Sequence, residues 1–240
     1  MLAILKKELY TFFNSLIAYV IIGFFLILIG VWVWVFPETN VLDSGYADLS
    51  SLFQVAPYIL MFLAPAITMS LFSEEFKLGT LELLLTSPLT TIQITLGKYF
   101  AGVVIIITIL LLTVIYGFSI YYLASPIGNI DVAALVGSYI GLLLLAALFL
   151  SIGLSASALT RNQIVAFLIG TLFCFLLYQG FDAWSTLKTW ENYSLWIAQL
   201  GILYHYEALS RGVIDLRDVL YFCSASCISI LFTNLMLKRR

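Results

Sequence analysis

The chain has 240 residues, of which 62 % are hydrophobic and 10 % charged, with a mean hydropathy of +1.08. A soluble domain carries roughly 45–50 % apolar and about 25 % charged residues, so a water-soluble fold is excluded and an all-α integral membrane protein is expected. The net charge of −2 is too small to bring nucleic acid into consideration as a partner.

Residues 1–14 read as an amphipathic helix. Leu2, Leu5, Leu9, Phe12 and Phe13 fall on one side of a helical wheel, and Lys6, Lys7 and Asn14 face away. Such a helix lies in the headgroup plane, its lysines favoured by anionic lipid. A plain positively charged lead into the first span is the alternative. Residues 15–36 form the first span, with Trp32 and Trp34 at its outer interface. This run is too long for a cleavable signal and has no small-residue cleavage site. A polar loop, 37–54, carries Glu38, Asp43 and Asp48 and no Lys or Arg. The second span covers 55–72, with a kink expected at Pro65.

Residues 73–98 break the apolar pattern and read as helix, break, helix. From Leu78, the 3.6 period places Leu78, Leu81, Leu84 and Leu85 on one side of a short helix, beside Glu82 and Thr86. Pro88 disfavours helix at Ser87 and stops it there. Thr90 to Gln93 spells a capping box that starts the next helix near Thr91. A short amphipathic helix hung between two spans is a handle that another protein can push.

The third span, 99–123, continues that helix. A Pro/Gly loop at 124–131 leads to the fourth span, 132–159, and a short turn at 160–163 carries Arg161 before the fifth span, 164–180. The connection at 181–218 is rich in amphipathic rings (Trp184, Trp190, Tyr193, Trp196, Tyr204, Tyr206), as expected of segments lying at or dipping into an interface. The sixth span covers 219–237, and Lys238-Arg239-Arg240 ends the sequence. The whole reads as a single transmembrane domain, 1–240.

With both termini inside, eight Lys and Arg residues face the cytosol and three face outward, which is the positive-inside bias. Nine of the 13 acidic residues then lie outside. The 73–98 segment is cytosolic in this orientation. No internal repeat is visible, so inverted-repeat carriers gain no support.

The spans hold no Asp, Glu, Lys, Arg or His away from their ends. Ion-coupled carriers accept the cost of such groups because they need relays, so a proton-driven mechanism is disfavoured. There is no G-x-x-x-x-G-K-[ST]; Gly97-Lys98 is followed by Tyr99, so any ATP hydrolysis belongs to another subunit. A serine-protease elbow is missing too: Gly117-Phe-Ser119 runs into Ile120, and the one histidine, His205, lies in the outer connection. His205 is read as an interfacial or capping histidine. Cys174, Cys223 and Cys227 all sit in apolar runs and are read as buried small apolar residues, with a metal or disulfide as the alternative. Gly137 and Gly141 form a GxxxG, continued by Ala147, Ser151 and Ser155. They suit close packing within one subunit, with a contact between subunits as the alternative. No catalytic, cofactor-binding or metal-ligating set emerges.

The run Glu75-Phe-Lys77-Leu-Gly79-Thr80-Leu-Glu82-Leu83-Leu-Leu-Thr-Ser-Pro88, followed by Gly97-Lys98, resembles the cytosolic segment of ABC-2-type exporter permeases. Ser210-Arg-Gly-Val-Ile-Asp-Leu-Arg-Asp-Val-Leu-Tyr221-Phe222 resembles the approach to the last span in the gliding-motility-associated branch of those permeases. With the six-span layout, the resemblance covers nearly the whole chain. It implies a type V exporter-like fold: an interfacial elbow helix at 1–14, a cytosolic coupling helix between spans 2 and 3, and re-entrant helices before span 6. It also implies a permease subunit of the bacterial inner membrane, paired with a second permease subunit, the same or related. Two ABC ATPase subunits would bind the ATP and Mg. Glu75, Lys77, Gly79, Thr80, Glu82, Leu83 and Pro88 are the expected docking residues, with Arg161 as a minor contact. Gly79 would permit a bend and close approach, and Glu82 would offer charge to a basic groove. The competing classes are a non-transport membrane scaffold, which would leave a partner's ATP turnover unchanged, and a secondary carrier, whose transport would collapse with the ion gradient.

Overall fold

A computed structural model describes residues 1–240 except Glu38, Asp43, Ser44, Tyr46, Ser87, residues 188–192 and Arg240, together with the side chains of Leu83 and Leu85. Outside the described residues therefore fall the docking role expected of the Leu83 side chain, the loop acids Glu38 and Asp43, the interfacial Trp190 and two of the counted cations, Lys188 and Arg240.

Every regular element among the described residues is helical: α1 (Leu2–Phe13), α2 (Leu16–Trp34), α3 (Ser50–Leu78), α4 (Leu81–Leu85), α5 (Thr91–Leu123), α6 (Val132–Leu159), α7 (Gln163–Phe175), a π-turn (Leu176–Gly180), α8 (Phe181–Ser185), α9 (Ser194–Ala198), α10 (Ile202–Ser210) and α11 (Leu216–Lys238). Among the described residues, six segments are long and apolar enough to cross a membrane: α2, α3, α5, α6, the run Gln163–Ser185 and α11. Three of them extend past the expected bounds. The second span begins at Ser50 and runs on to Leu78, the fifth continues through the π-turn into α8, and the sixth starts at Leu216.

Helices α3 and α6 form the centre of the bundle and pack more extensively on each other than any other pair. Helix α3 runs through Pro57 and Pro65, each of which removes a backbone donor. Two devices let α6 approach closely. Gly153 lies against Pro65 and Thr68, with no room for a Cβ. Ser157 places its hydroxyl among three α3 backbone groups: it donates to Met69 O at 2.9 Å and faces the N–H groups of Phe72 and Ser73 at 3.1 Å. This pairing also sets the two C-terminal ends of α3 and α6 side by side.

The GxxxG of the fourth span packs within the subunit. Gly137 meets the backbone of Gly212, and Gly141 meets Leu209 of α10. Ser155, further along, faces Thr233 of α11 at 2.9 Å. The segment before the last span thus dips back along α6, and Tyr206 of α10 donates to Phe53 O of α3 at 2.8 Å.

The cysteines divide. Cys174 is buried, as expected, but Cys223 and Cys227 are exposed. Both lie on the α11 face that points away from the bundle, beside exposed Leu220 and Leu231. A membrane-facing surface accepts an apolar thiol as readily as a core does, so an apolar run alone could not distinguish the two.

Candidate functional site

The connection between the second and third spans is built from three local signals. The first is Gly79, which ends α3 with φ 71 and ψ 11, a left-handed conformation that glycine adopts without strain. Its N–H, and that of Thr80 at 3.1 Å, return to Glu75 O. Leu78 therefore belongs to the preceding helix and is 66 % exposed, and α4 begins only at Leu81. This corrects the expected helix start: the period carries smoothly through residue 78, but the left-handed turn resets the helix axis.

The second signal is α4 itself. Leu81 is 5 % exposed and joins the core, and Leu84 packs against it. Glu82 stands exposed in the first turn, where the helix dipole favours an anion. Thr86 closes the helix, donating from its hydroxyl to Glu82 O at 3.0 Å. The third signal is the capping box. Thr90 N donates to Gln93 Oε1 at 3.2 Å while Gln93 N approaches the Thr90 side chain, and α5 starts at Thr91 as the spacing predicts.

Lys77, Gly79, Glu82 and Pro88 are exposed, and Thr80 is half-buried. Arg161 is exposed in the turn after α6, four residues past Ser157, and so at the same end of the bundle. Glu75 has a different setting from the expected one. It is 8 % exposed and turned into the protein.

What Glu75 meets there is a charge cluster that local sequence reading misses. Lys98 of α5 is fully buried. Its ammonium lies 2.8 Å from Glu8 Oε1, 2.8 Å from Glu75 Oε1 and 2.7 Å from Leu71 O. An ammonium has three protons, and all three have acceptors. The Phe72 ring lies 5.2 Å from the same nitrogen and contributes a cation–π contact. Lys7 adds a second cation, 3.2 Å from Glu75 Oε1 and 3.4 Å from Glu8 Oε1, with its side chain 56 % exposed. Burial works against the Lys7 charge, but the Glu8 and Glu75 carboxylates outweigh it and raise the lysine pKa above its ordinary value. Two carboxylates and two ammonium groups leave the cluster neutral. Glu75 Oε2 is its one buried atom without a hydrogen-bond partner.

The cluster ties together three elements: α1 through Lys7 and Glu8, α3 through Leu71 and Glu75, and α5 through Lys98. Gly97 makes room for it, with Ile4 of α1 only 3.1 Å from where a Cβ would stand. Two signals in the sequence point to the cluster. Lys98 lies seven residues inside a helix that runs on into an apolar span, where a cation must find a partner. Glu75 continues the buried α3 stripe of Thr68 and Phe72, whereas neighbouring Glu74 is exposed.

Among the described residues no group of His, Cys, Asp and Glu could hold a metal ion. An exposed turn and short helix are held at both ends by helices that a buried ion cluster locks to α1. Residues 35–181 match the family described as ABC-2 family transporter protein, a stretch that runs from just after α2 to the first residue of α8 and contains the whole α3–α4–α5 connection and Arg161. No curated protein matches the chain significantly. With more than half of its length matched and six helices able to cross a membrane, the chain belongs to the ABC-2 transporter family, as the membrane-spanning permease component of an ABC exporter.

Proposed function

We propose that the 79–90 connection is the docking handle for a separate ABC ATPase on the cytosolic side of a bacterial inner membrane. Two ATPase subunits, carrying the ATP and Mg, would act on two permease subunits. Both chain ends would face the cytosol, as the lysine and arginine distribution favours. Nucleotide binds one conformer of the ATPase pair better than the other, and closure of the pair displaces the handle. Lys77, Gly79, Thr80, Glu82, Leu83 and Pro88 form the contact, with Arg161 at its margin. Glu75 acts from behind it. The resemblance of residues 210–222 to the gliding-motility-associated permeases supports export linked to surface motility as the role.

The observation that carries this reading is the Lys98 cluster. A solvated loop needs no internal clamp, whereas a lever does: displacement of α4 reaches α3, α5 and α1 together because Lys98 binds both Glu75 and Glu8. The test is copurification with the ATPase encoded nearest the gene, after Glu82→Lys combined with Gly79→Trp. Loss of the complex and of stimulated ATP turnover is expected. A complex that survives with full stimulation overturns the proposal. A complex that forms but never alters turnover favours a scaffold.

A further inference from the structure

The end of the bundle opposite α4 holds a cavity of about 720 Å³, within the roughly 300–1,000 Å³ range of small-molecule sites. Its walls come from the starts of α3 and α6, the end of α5, the π-turn and α10. Three features define its chemistry.

The inner wall is aromatic. Tyr178 of the π-turn has its ring centroid 5.7 Å from that of Tyr58 and 6.4 Å from that of Tyr206. The Tyr206 hydroxyl is already committed to Phe53 O. Tyr178 is not so committed. It is 2 % exposed and lines the cavity, yet its hydroxyl makes no hydrogen bond with any described residue. The side chain is buried, but its hydroxyl opens on the cavity, where a guest can pair with it.

The rim is acidic. Asp48, Asp131 and Glu207 line it, against one cation, Arg211, whose guanidinium lies 3.9 Å from Glu207 Oε2. Asp48 Oδ1 accepts from the Ser50 N–H and hydroxyl, and Asp131 Oδ1 accepts from Ala134 N–H. Each of these carboxylates keeps its second oxygen free for a guest. Three carboxylates over one guanidinium repel an anion and attract a cation, and the rings behind them favour a cation on an apolar body.

We propose that this cavity binds an amphipathic organic amine. The ammonium sits at the Asp48–Asp131–Glu207 rim, the apolar body lies against Tyr58 and Tyr206, and the Tyr178 hydroxyl supplies a hydrogen bond within. The site is made by one chain and needs no ATPase, so it stands or falls apart from the docking reading. A free amine and the aminoethyl headgroup of a phospholipid share this chemistry.

The purified chain in neutral detergent is titrated with monodansylcadaverine, a fluorescent primary amine, and with its N-acetylated, uncharged form. Saturable binding is expected, with affinity lower by about tenfold for the acetylated form and for the Asp48→Asn, Asp131→Asn, Glu207→Gln triple variant. The two asparagines keep the oxygens that accept from Ser50 and Ala134, so both helix starts keep those bonds. Tyr178→Phe, which removes a single oxygen, weakens binding by about threefold. Native mass spectrometry of the same chain separates the two sources: phosphatidylethanolamine released by the probe assigns the site to a lipid headgroup, and probe binding without lipid release assigns it to a free amine. No saturation, equal binding of the acetylated form, undiminished binding by the triple variant, or release of phosphatidylglycerol instead would each overturn the proposal.

Discussion

Lys98 and Glu75 come from opposite ends of the connection between the second and third spans, yet their side chains meet at 2.8 Å inside the protein. Glu8 joins them from the first helix at the same distance. The connection is therefore closed at its base, and its exposed tip cannot move without carrying the two spans or breaking a buried ion cluster.

Removing the cation tests that closure. Lys98→Met leaves the Glu8 and Glu75 carboxylates facing each other with only the half-exposed Lys7 beside them. Breaking one side of a buried ion group costs on the order of 3–5 kcal/mol. A clear fall in the unfolding temperature in detergent is expected. Combining Lys98→Met with Glu8→Gln and Glu75→Gln removes the stranded charges and should recover part of the loss. An unfolding temperature for Lys98→Met equal to the parent's would mean the cluster does not lock the helices.

Lys7 supplies the pH test. Its pKa is raised: burial opposes the charge, and Glu8 and Glu75 more than offset that. A cation with a raised folded-state value stabilises fully below its unfolded value, near about 10.4, and loses that contribution as pH rises through the folded value. Lys7→Met should therefore unfold below the parent at pH 8, and the gap should close in strongly alkaline buffer. A gap that stays constant with pH would assign the loss to packing of the lysine stem.

Gly79 separates backbone from contact. It has φ 71, and nothing lies within 4 Å of where a Cβ would be. Gly79→Ala then costs only left-handed strain, roughly 1–2 kcal/mol, and Gly79→Asn should cost less because asparagine tolerates that conformation. Chemical denaturation of the two variants reads the difference. A larger loss for Asn than for Ala would show that the turn is not held left-handed.

The spans were legible because a run of some 20 apolar residues has few other uses, and the capping box at Thr90 and Gln93 was legible because its chemistry is local. Gly79 is legible as a bend, but the period starts the short helix at Leu78, three residues before α4 begins, since the leucine period does not report a change of axis. The Lys98 cluster was hidden for a different reason. Its partners lie 23 and 90 residues away, and ion pairs at that separation leave no periodic trace. The argument that a cation within a span-forming helix needs company names no partner, and the α3 stripe that carries Glu75 says only which side of the helix it lies on. Cys223 and Cys227 are expected inside because apolar residues usually are, but α11 buries Ser226, Thr233 and Asn234 and turns its cysteines outward.

Glu82 should uncouple stability from function. It is exposed, and the contacts of Leu81 and Leu84 do not depend on it. Glu82→Lys is expected to leave the unfolding temperature unchanged while lowering the stimulation of ATP turnover by the partner subunit. Both quantities falling together would mean that the residue is structural.

Ser157 and Ser151 make a matched pair for the α3–α6 contact. Both are fully buried in α6. Ser151 bonds only within its own helix, to Leu148 O at 2.7 Å, whereas Ser157 serves three backbone groups of α3. A helix already satisfied by its own ladder gains little from a hydroxyl doubling back on it, so Ser151→Ala should be close to neutral. Ser157→Ala withdraws an interhelical partner from buried amides beside the base of the handle, and a loss of roughly 1–3 kcal/mol follows. Ser157→Val should be worse again, because its extra methyl must enter a space set by Gly153 packing against Pro65. Equal losses for Ser151→Ala and Ser157→Ala would mean that the hydroxyl adds nothing across the interface, and that the small side chain alone lets α3 and α6 meet.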